Sequence, residues 1–264
     1  MLWQAIDPHY ALAGFLVGTL VGLTGVGGGS LMTPILILLF GISPAKAVGT
    51  DLLFAAATKT VGSLVHNFNR TIDWRIVGRL ACGSVPSTAL GLFILWSLHM
   101  TTGGARYLIT AVLTGALFLT AVVLIARNRI SAIYAKQLEN LDGRSVALLT
   151  MAMGAILGLL VTFSSVGAGA LGVTALLLLY PRTSAAQIVG SDIAHAVPLT
   201  LIAGIGHGVM GSVNWHTLCS LLAGSIPGIF VGSFVAPRLP DLHLRYALAT
   251  VLLIVAGRMA FTLM

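Results

Sequence analysis

Two aspartates stand at matching places inside apolar segments of the chain. Asp51 ends the tetrapeptide VGTD and Asp192 ends VGSD. A carboxylate within an apolar, membrane-length segment usually faces the interior of a helix bundle, where it can line a solute path or take up a proton. The alternative is structural, because each carboxylate could instead accept hydrogen bonds from nearby backbone and hold a Gly-x-Asp turn.

Basic side chains accompany the two aspartates. His66 and His207 end the segments that carry them, and either could exchange protons near neutral pH or cap a helix end. His195 follows Asp192 by three residues, which places both on one helix face. Lys59 could supply positive charge for an anion, together with His195, or extend toward the membrane surface. Since no ligand cluster has metal-binding spacing, neither a metal nor another cofactor is expected.

Glycine-rich stretches precede both aspartates. The first reads VGLTGVGGGSLMTP and the second SSVGAGALG. Each glycine lowers helix stability by about 1 kcal/mol, so three in succession break the helix. A helix that restarts after such a break presents free N–H groups and the positive end of its dipole, which suits an oxyanion. The alternative is that these glycines only permit close helix packing.

The predicted site combines the glycines and hydroxyls of these breaks with the two Gly-x-Asp turns. The predicted substrate-binding residues are Gly27, Gly28, Gly29, Ser30, Thr33, Thr50, Asp51, Ser164, Ser165, Gly167, Gly169, Ser191 and Asp192. The residues predicted to serve in gating or proton coupling are Lys59, His66, His195 and His207.

The composition places these residues in a membrane. Apolar residues make up 57% of the 264-residue chain and charged residues 8%, against about 25% charged in a soluble domain. Several apolar segments reach the roughly 20 residues that a transmembrane helix needs. The net charge of +7 comes mostly from Lys and Arg in short loops, which indicates cytoplasmic loops rather than nucleic-acid binding. We therefore expect an all-α, multi-pass protein of the inner (plasma) membrane.

The two halves of the chain match each other. When the sequence is shifted by 141 residues, 13 of the 51 ungapped pairs between 41 and 91 are identical. The identical pairs include Asp51 with Asp192, His66 with His207, and Trp74 with Trp215. This pattern predicts a first repeat over 1–126, a cytoplasmic linker over 127–144 and a second repeat over 145–264, together forming one membrane domain.

The segment from 10 to 41 decides how the repeats are related. If it crosses the membrane once, the halves are parallel; if it is a re-entrant hairpin of two half-helices, they are inverted. The inverted model places ten Lys and Arg residues inside and three outside, whereas the parallel model places eight inside and five outside. Because cytoplasmic loops are rich in basic residues, we expect inverted repeats, about eight transmembrane segments and Gly-broken half-helix hairpins.

The same residues resemble the TauE/SafE family of membrane transporters, also called the sulfite exporter family. The stretches that carry the likeness are GLTGVGGGSLMTPILI, AVGTDLLFAAATKTVGSLVHN with TIDWRI, SSVGAGALG, IVGSDIAHAVPLTLIAGIGH and GSVNWHTLCSLLAGSIPG. The resemblance implies an inner-membrane exporter of sulfite, sulfoacetate or a related sulfur anion. It brings no catalytic residues, so only the glycine hairpins and the Gly-x-Asp turns carry over as site elements.

The sequence leaves two transport functions open. The first is export of a small sulfur oxyanion, sulfite or an organosulfonate; the alternative is uptake of thiosulfate or another small anion, with protons as one coupling ion. An enzyme is not expected, because GxSxG, HExxH and suitably placed catalytic carboxylates are missing from the sequence. The expected partners are the anionic solute and the lipid bilayer, not nucleic acid. The sequence is also compatible with a homodimer.

Overall fold

The computed structural model describes residues 6–24, 29–98, 103–139, 141–167, 169–235 and 241–261. Within these ranges the chain forms ten α-helices and no strand, which confirms the all-α prediction. The helices are α1 (Pro8–Thr24), α2 (Gly29–Leu38), α3 (Pro44–Phe68), α4 (Trp74–Ser97), α5 (Gly103–Glu139), α6 (Gly143–Ser164), α7 (Ala170–Leu179), α8 (Ala185–Val209), α9 (Trp215–Val235) and α10 (Asp241–Phe261).

Several of these helices are suited to a bilayer by length and composition. Among the described residues, five are long and apolar enough to cross it: Trp74–Ser97, Arg106–Ile130, Gly143–Ser164, Ala185–Val209 and Trp215–Gly232. Two shorter apolar helices cover Pro8–Leu23 and Ala170–Leu179. The chain is therefore a polytopic helical membrane protein, as its composition predicts.

Helix α5 continues beyond its apolar segment. It ends at Glu139, so it covers most of the polar stretch that the sequence assigns to a linker over 127–144. Helix α6 then begins under a cap, because the Asp142 carboxylate accepts a hydrogen bond from the Arg144 amide at 3.2 Å. Hydrogen bonds from Ser145 lower the pKa of the Asp142 carboxyl, and its negative charge is favourable at the N-terminus of a helix.

Short helices follow both glycine-rich stretches. Helices α2 and α7 have ten residues each, a length of about 15 Å that is half of the hydrocarbon core. After α6 the backbone leaves the helical region, with φ angles of 59° at Ser165, 124° at Gly167 and 122° at Gly169. Glycine adopts such angles without strain, which explains why the helix breaks at this point.

The starts of α2 and α7 lie in the same apolar environment. Leu31, in the first turn of α2, and Ala170, the first residue of α7, belong to one buried cluster. The other members of the cluster come mainly from α5 and α10, for example Leu117 and Leu252. The two interrupted segments therefore converge within the protein.

Helices α3 and α8 pack against each other in opposite directions. A Cβ added at Gly49, near the start of α3, would lie 3.0 Å from the Cβ of His207 near the end of α8. A Cβ added at Gly190, near the start of α8, would lie 3.0 Å from Nδ1 of His66 near the end of α3. Each helix thus begins beside the end of the other.

Two further helix pairs pack closely through glycine. A Cβ at Gly83 in α4 would lie 1.8 Å from the Met151 carbonyl oxygen of α6. A Cβ at Gly224 in α9 would lie 1.8 Å from the Ala11 carbonyl oxygen of α1. Such close backbone contact through small residues is typical of helix interfaces in membranes.

Candidate functional site

Asp51 ties α3 to the start of α2. Its buried carboxylate accepts hydrogen bonds at Oδ2 from both the backbone N–H of Thr33, at 3.2 Å, and the Thr33 hydroxyl. Thr33 lies in the N-terminal half of α2, where free amides and the helix dipole favour a negative charge. The structure therefore supports the structural alternative for Asp51, a carboxylate bonded to nearby backbone, although the partner belongs to a different helix.

Asp192 occupies the corresponding place at the start of α7. Its carboxylate interacts with the backbone amide of Gly169, the residue that precedes α7. A Cβ at Gly172 would lie 2.0 Å from the Asp192 Oδ1. Glycine at position 172 therefore leaves the space that this carboxylate fills.

Polar atoms around these two carboxylates lack hydrogen-bond partners within the described part of the chain. They are Asp51 Oδ1, Asp192 Oδ1, Ser165 Oγ and His195 Nδ1, all buried. The Ser165 hydroxyl lies near the Asp51 carboxylate, outside hydrogen-bonding geometry, so a residue of the second break lies beside the aspartate of the first half. A buried polar atom without a partner is costly, and these atoms are therefore available to a polar solute.

Lys59 is the cation next to both carboxylates. It lies two turns after Asp51 in α3, is 7% exposed, and interacts electrostatically with Asp192 and Asp51. It also lies close enough to His195 for their charges to interact. This burial excludes the alternative in which the ammonium group of Lys59 extends to the membrane surface.

His195 has a partner that sequence reasoning missed. Its Nε2 lies 2.8 Å from the hydroxyl of Ser84 in α4. The sequence does mark Ser84 as a repeat-equivalent residue, because Ser84 and Ser225 are identical under the 141-residue shift. Nothing in the sequence, however, connects Ser84 to a histidine 111 residues away. We call the following set the central polar cluster: Thr33, Asp51, Lys59, Ser84, Ser165, Asp192 and His195.

The other two predicted histidines lie at helix ends. His207 is buried, and its Nε2–H donates to the Thr162 carbonyl at 3.0 Å. Because a carbonyl only accepts, the proton of a neutral His207 ring must be on Nε2. His66 is partly buried, and its Nδ1 lies 2.8 Å from the Thr71 hydroxyl. These bonds fit a cap at each helix end, and a role in gating stays a prediction.

Thr50 and Ser191 hold loops of the opposite half. The backbone N–H of Asn214, just before α9, donates to Thr50 Oγ1 at 2.9 Å. The backbone N–H of Asp73, just before α4, donates to Ser191 Oγ at 2.8 Å. The two hydroxyls therefore have structural partners, and their predicted contact with substrate stays a prediction.

The remaining predicted residues belong to the two breaks. The Ser164 hydroxyl donates to the Leu160 carbonyl and accepts from the Val166 amide at 3.1 Å, so it holds the end of α6. Gly29 and Ser30 are the first residues of α2. Gly27 and Gly28 lie outside the described residues.

A cavity of about 530 Å³ lies away from the central polar cluster. It opens where the end of α2 meets the starts of α3 and α5, and its polar lining includes Ser43, Arg106 and Tyr107. None of its lining residues belongs to the predicted site, and no motif in the sequence points to this cavity.

The fold and the cluster together define a class of protein. Buried charged groups between interrupted helices of a polytopic bundle are typical of secondary transporters. The chain belongs to the family described as sulfite exporter TauE/SafE, whose model matches residues 10–259. It is therefore a membrane transporter and not an enzyme.

Bacterial relatives agree with this assignment. The chain is 39% identical to "Probable membrane transporter protein YjnA" of Bacillus subtilis (strain 168), over 92% of this chain and 95% of the relative. It is 28% identical to a "Probable membrane transporter protein" of Xylella fastidiosa (strain 9a5c), over 86% and 83%. No solved structure matches the chain. The names of these relatives describe membrane transporters but specify neither a solute nor a direction of transport. Their bacterial origin fits a location in the inner membrane.

Proposed function

We propose that the protein exports a small sulfur oxyanion, sulfite or an organosulfonate, and binds it in the central polar cluster. The observation that carries this proposal is that the buried Lys59 interacts electrostatically with two carboxylates, Asp51 bonded to Thr33 of α2 and Asp192 beside Gly169 at the start of α7. Helix N-termini attract anions through free amides and the helix dipole, and the ammonium group of Lys59 adds a full positive charge. The name of the family supports a sulfur oxyanion as the solute.

We further propose that the chain consists of two inverted repeats, over 1–126 and 145–264, joined by the segment 127–144. Consecutive membrane-crossing helices alternate in direction. If α6 and α7 crossed the membrane together, three crossings (α4, α5 and the joined α6 and α7) would lie between α3 and α8, and α8 would run parallel to α3. If they form a re-entrant hairpin, α8 runs antiparallel to α3. The antiparallel packing of α3 and α8 supports the hairpin and hence the inverted relation.

Matched contacts between the halves also support the repeat. Thr50 binds the loop before α9, and its equivalent Ser191 binds the loop before α4. Gly83 and its equivalent Gly224 both pack on a backbone carbonyl of the other half. In this inverted arrangement the hairpin residues and the Gly-x-Asp turns surround the substrate. His66 and His207, near the C-terminal ends of α3 and α8, act as gates.

Membrane potential should speed this export. An interior that is negative by about 100 mV favours exit by about 2.3 kcal/mol per net negative charge moved. We expect radiolabelled sulfite or thiosulfate to leave loaded proteoliposomes faster when valinomycin and a potassium gradient make the interior negative. Protein-free liposomes under the same gradient give the background leak. Efflux of these anions at one rate whatever the potential would contradict electrogenic export.

Uptake is a second candidate, favoured by the unpartnered oxygens of Asp51 and Asp192. Such buried carboxylates are suited to carry a proton. Uptake predicts that an inward pH gradient drives accumulation of labelled thiosulfate above its external concentration. Export predicts equilibration only under that gradient, so the level reached inside the vesicles separates the two functions.

The space at Gly172 provides a local test of the site. We expect Gly172→Ala to reduce transport at least tenfold, because the added Cβ displaces the Asp192 carboxylate from the start of α7. The fold should survive, since the atom that must move ends a side chain. Gly115→Ala is the matched control, as a Cβ there has no neighbour within 4 Å. Full transport by Gly172→Ala would show that the placement of Asp192 is unimportant.

A further inference from the structure

The cavity at the end of α2 lies at the boundary of the membrane-spanning part of the protein. Its lining comes from the end of α2, the starts of α3 and α5, and the end of α10. The apolar span of α5 begins at Arg106, which is one of the lining residues. Because a membrane-length span ends near the lipid headgroups, the cavity lies at the level of the lipid phosphates.

The lining of this cavity is both apolar and polar. Its apolar side chains include Leu38, Ile42 and Met259, and its polar side chains include Ser43, Arg106 and Tyr107. Leu38 is 37% exposed, and the next residue, Leu39, is 76% exposed. Apolar side chains therefore continue from the cavity to the outer surface of the protein. A ligand that matches this lining has a polar part and an apolar part.

Positive charge surrounds the cavity. Arg106 is the only charged residue among its described lining residues, and its guanidinium makes no ion pair within the described part of the chain. Lys46 lies two residues after the lining Pro44, and Arg258 lies directly before the lining Met259. Both of these basic residues are exposed. The cavity therefore favours an anionic ligand.

The acidic residues of the four lining helices lie away from the cavity. Glu139 follows Arg106 by 33 residues in α5, about 50 Å along the helix. Asp241 precedes Met259 by 18 residues in α10, about 27 Å along the helix. The Asp51 carboxylate of α3 is buried and bonded to α2. The charge of Arg106 thus remains available to a ligand of opposite charge.

The Ser43 hydroxyl provides a second polar contact. Ser43 and Ser184 are equivalent under the 141-residue shift, and each directly precedes a helix. The Ser184 hydroxyl caps α8 by accepting a hydrogen bond from the Gln187 amide at 3.3 Å. The Ser43 side chain makes no such bond at the start of α3. Its hydroxyl can therefore bind a ligand in the cavity.

The size of the cavity favours a phospholipid over a free oxyanion. Its volume of about 530 Å³ lies within the range of small-molecule sites, about 300–1,000 Å³. A free phosphate or sulfite ion needs on the order of 100 Å³, a few times the volume of a water molecule, and gains nothing from apolar lining. The ammonium group of a zwitterionic lipid would meet Arg106 without a carboxylate among the described lining residues, so the lipid should be anionic.

We propose that this cavity binds an anionic phospholipid, with the Arg106 guanidinium on the lipid phosphate and the apolar lining residues along its acyl chains. A guanidinium binds two phosphate oxygens through parallel hydrogen bonds, and a tyrosine such as Tyr107 is typical of the headgroup level. The bound lipid connects the ends of α2 and α10 with the starts of α3 and α5. This inference depends on neither the solute nor the direction of transport.

Native mass spectrometry of the unmodified protein in detergent can measure this binding. Phosphatidylglycerol and phosphatidylcholine with the same acyl chains differ in headgroup charge, so binding through the acyl chains alone gives no preference. We expect phosphatidylglycerol to bind roughly tenfold more tightly, as charge-assisted hydrogen bonds to its phosphate allow. Equal affinities for the two lipids would overturn the proposal.

Variants test the role of Arg106. Arg106→Gln should lower the affinity for phosphatidylglycerol to about that for phosphatidylcholine, whereas Arg106→Lys keeps the charge and should give an intermediate affinity. Arg75→Gln is the matched control, because Arg75 is an exposed arginine beside an exposed aromatic residue, Trp74, at the start of α4 and is not a lining residue. It should bind both lipids as the unmodified protein does. Unchanged phosphatidylglycerol binding by Arg106→Gln would contradict the assignment.

Competition separates a lipid from a free anion. Millimolar inorganic phosphate or thiosulfate, compared with chloride at the same ionic strength, should not displace phosphatidylglycerol. Displacement by either ion would show that the cavity takes free anions and would overturn the assignment to a lipid. If Arg106→Gln does not fold, the lipid preference of the unmodified protein and its loss at high salt, expected for a contact between charges, still decide the question.

Discussion

Gly83→Val is expected to prevent folded protein from accumulating in the membrane. A Cβ at this position would lie 1.8 Å from the Met151 carbonyl oxygen and 2.7 Å from the Ala155 nitrogen. Both atoms belong to the backbone of α6, so no side-chain rotation relieves the overlap. Helices α4 and α6 would have to separate, which should cost more than the roughly 1–3 kcal/mol of ordinary overpacking.

The matched control for this prediction is Gly78→Val in the same helix. A Cβ at Gly78 has no neighbour within 4 Å, so this variant bears only the lower helix propensity of valine. Fluorescence-detected size-exclusion chromatography of detergent extracts should give a monodisperse peak for Gly78→Val and little or none for Gly83→Val. Equal peaks would show that the close packing of α4 on α6 is dispensable.

The interruptions of the fold could be predicted because their cause is local. Clustered glycines weaken a helix, and the sequence contains such clusters at matching places in both halves, VGGG in the first and VGAG in the second. The breaks before α2 and α7 follow from this property without knowledge of any contact. The extent of α5 could not be predicted as well, because the polar run to Glu139 is compatible with either loop or helix.

The partners within the site depend on contacts that sequence spacing does not encode. Asp51 and Asp192 could be recognised as unusual because carboxylates are costly in apolar segments. The contact of Asp51 with Thr33 requires α2 to fold back onto α3, and the bond between Ser84 and His195 joins α4 to α8. Such pairings arise from helix packing, so the sequence indicated which residues matter better than it indicated what they touch.

Lys59 interacts electrostatically with both aspartates, although the matching position in α8 is Thr200 and not a lysine. Matched carboxylates suit two equivalent half-sites, yet a single lysine makes their electrostatic surroundings unequal. Burial makes this inequality large, since charges interact more strongly in a medium of low dielectric constant.

Asp51→Leu is expected to destabilise the protein substantially, and Asp51→Asn much less. Leucine leaves the Thr33 amide and hydroxyl facing an apolar side chain, and each unsatisfied buried donor costs about 1–3 kcal/mol. Asparagine keeps an acceptor oxygen of the same shape, so the link between α2 and α3 survives while the charge beside Lys59 is lost.

A double-mutant cycle isolates the contact between Asp51 and Thr33. Thr33→Val removes only the hydroxyl donor, so after Asp51→Leu its further cost in free energy of unfolding should nearly vanish. We expect a coupling energy of about 1.5–3 kcal/mol, the range for hydrogen bonds to a charged group, measured from unfolding in detergent. Thr60→Val in the same helix as Asp51 is the control, because that hydroxyl bonds only to the Ala56 carbonyl of its own helix and should not couple to position 51. A coupling energy near zero for Thr33 would mean that Asp51 does not hold α2 in place, and the hairpin would then owe its position to the apolar cluster around Leu31 alone.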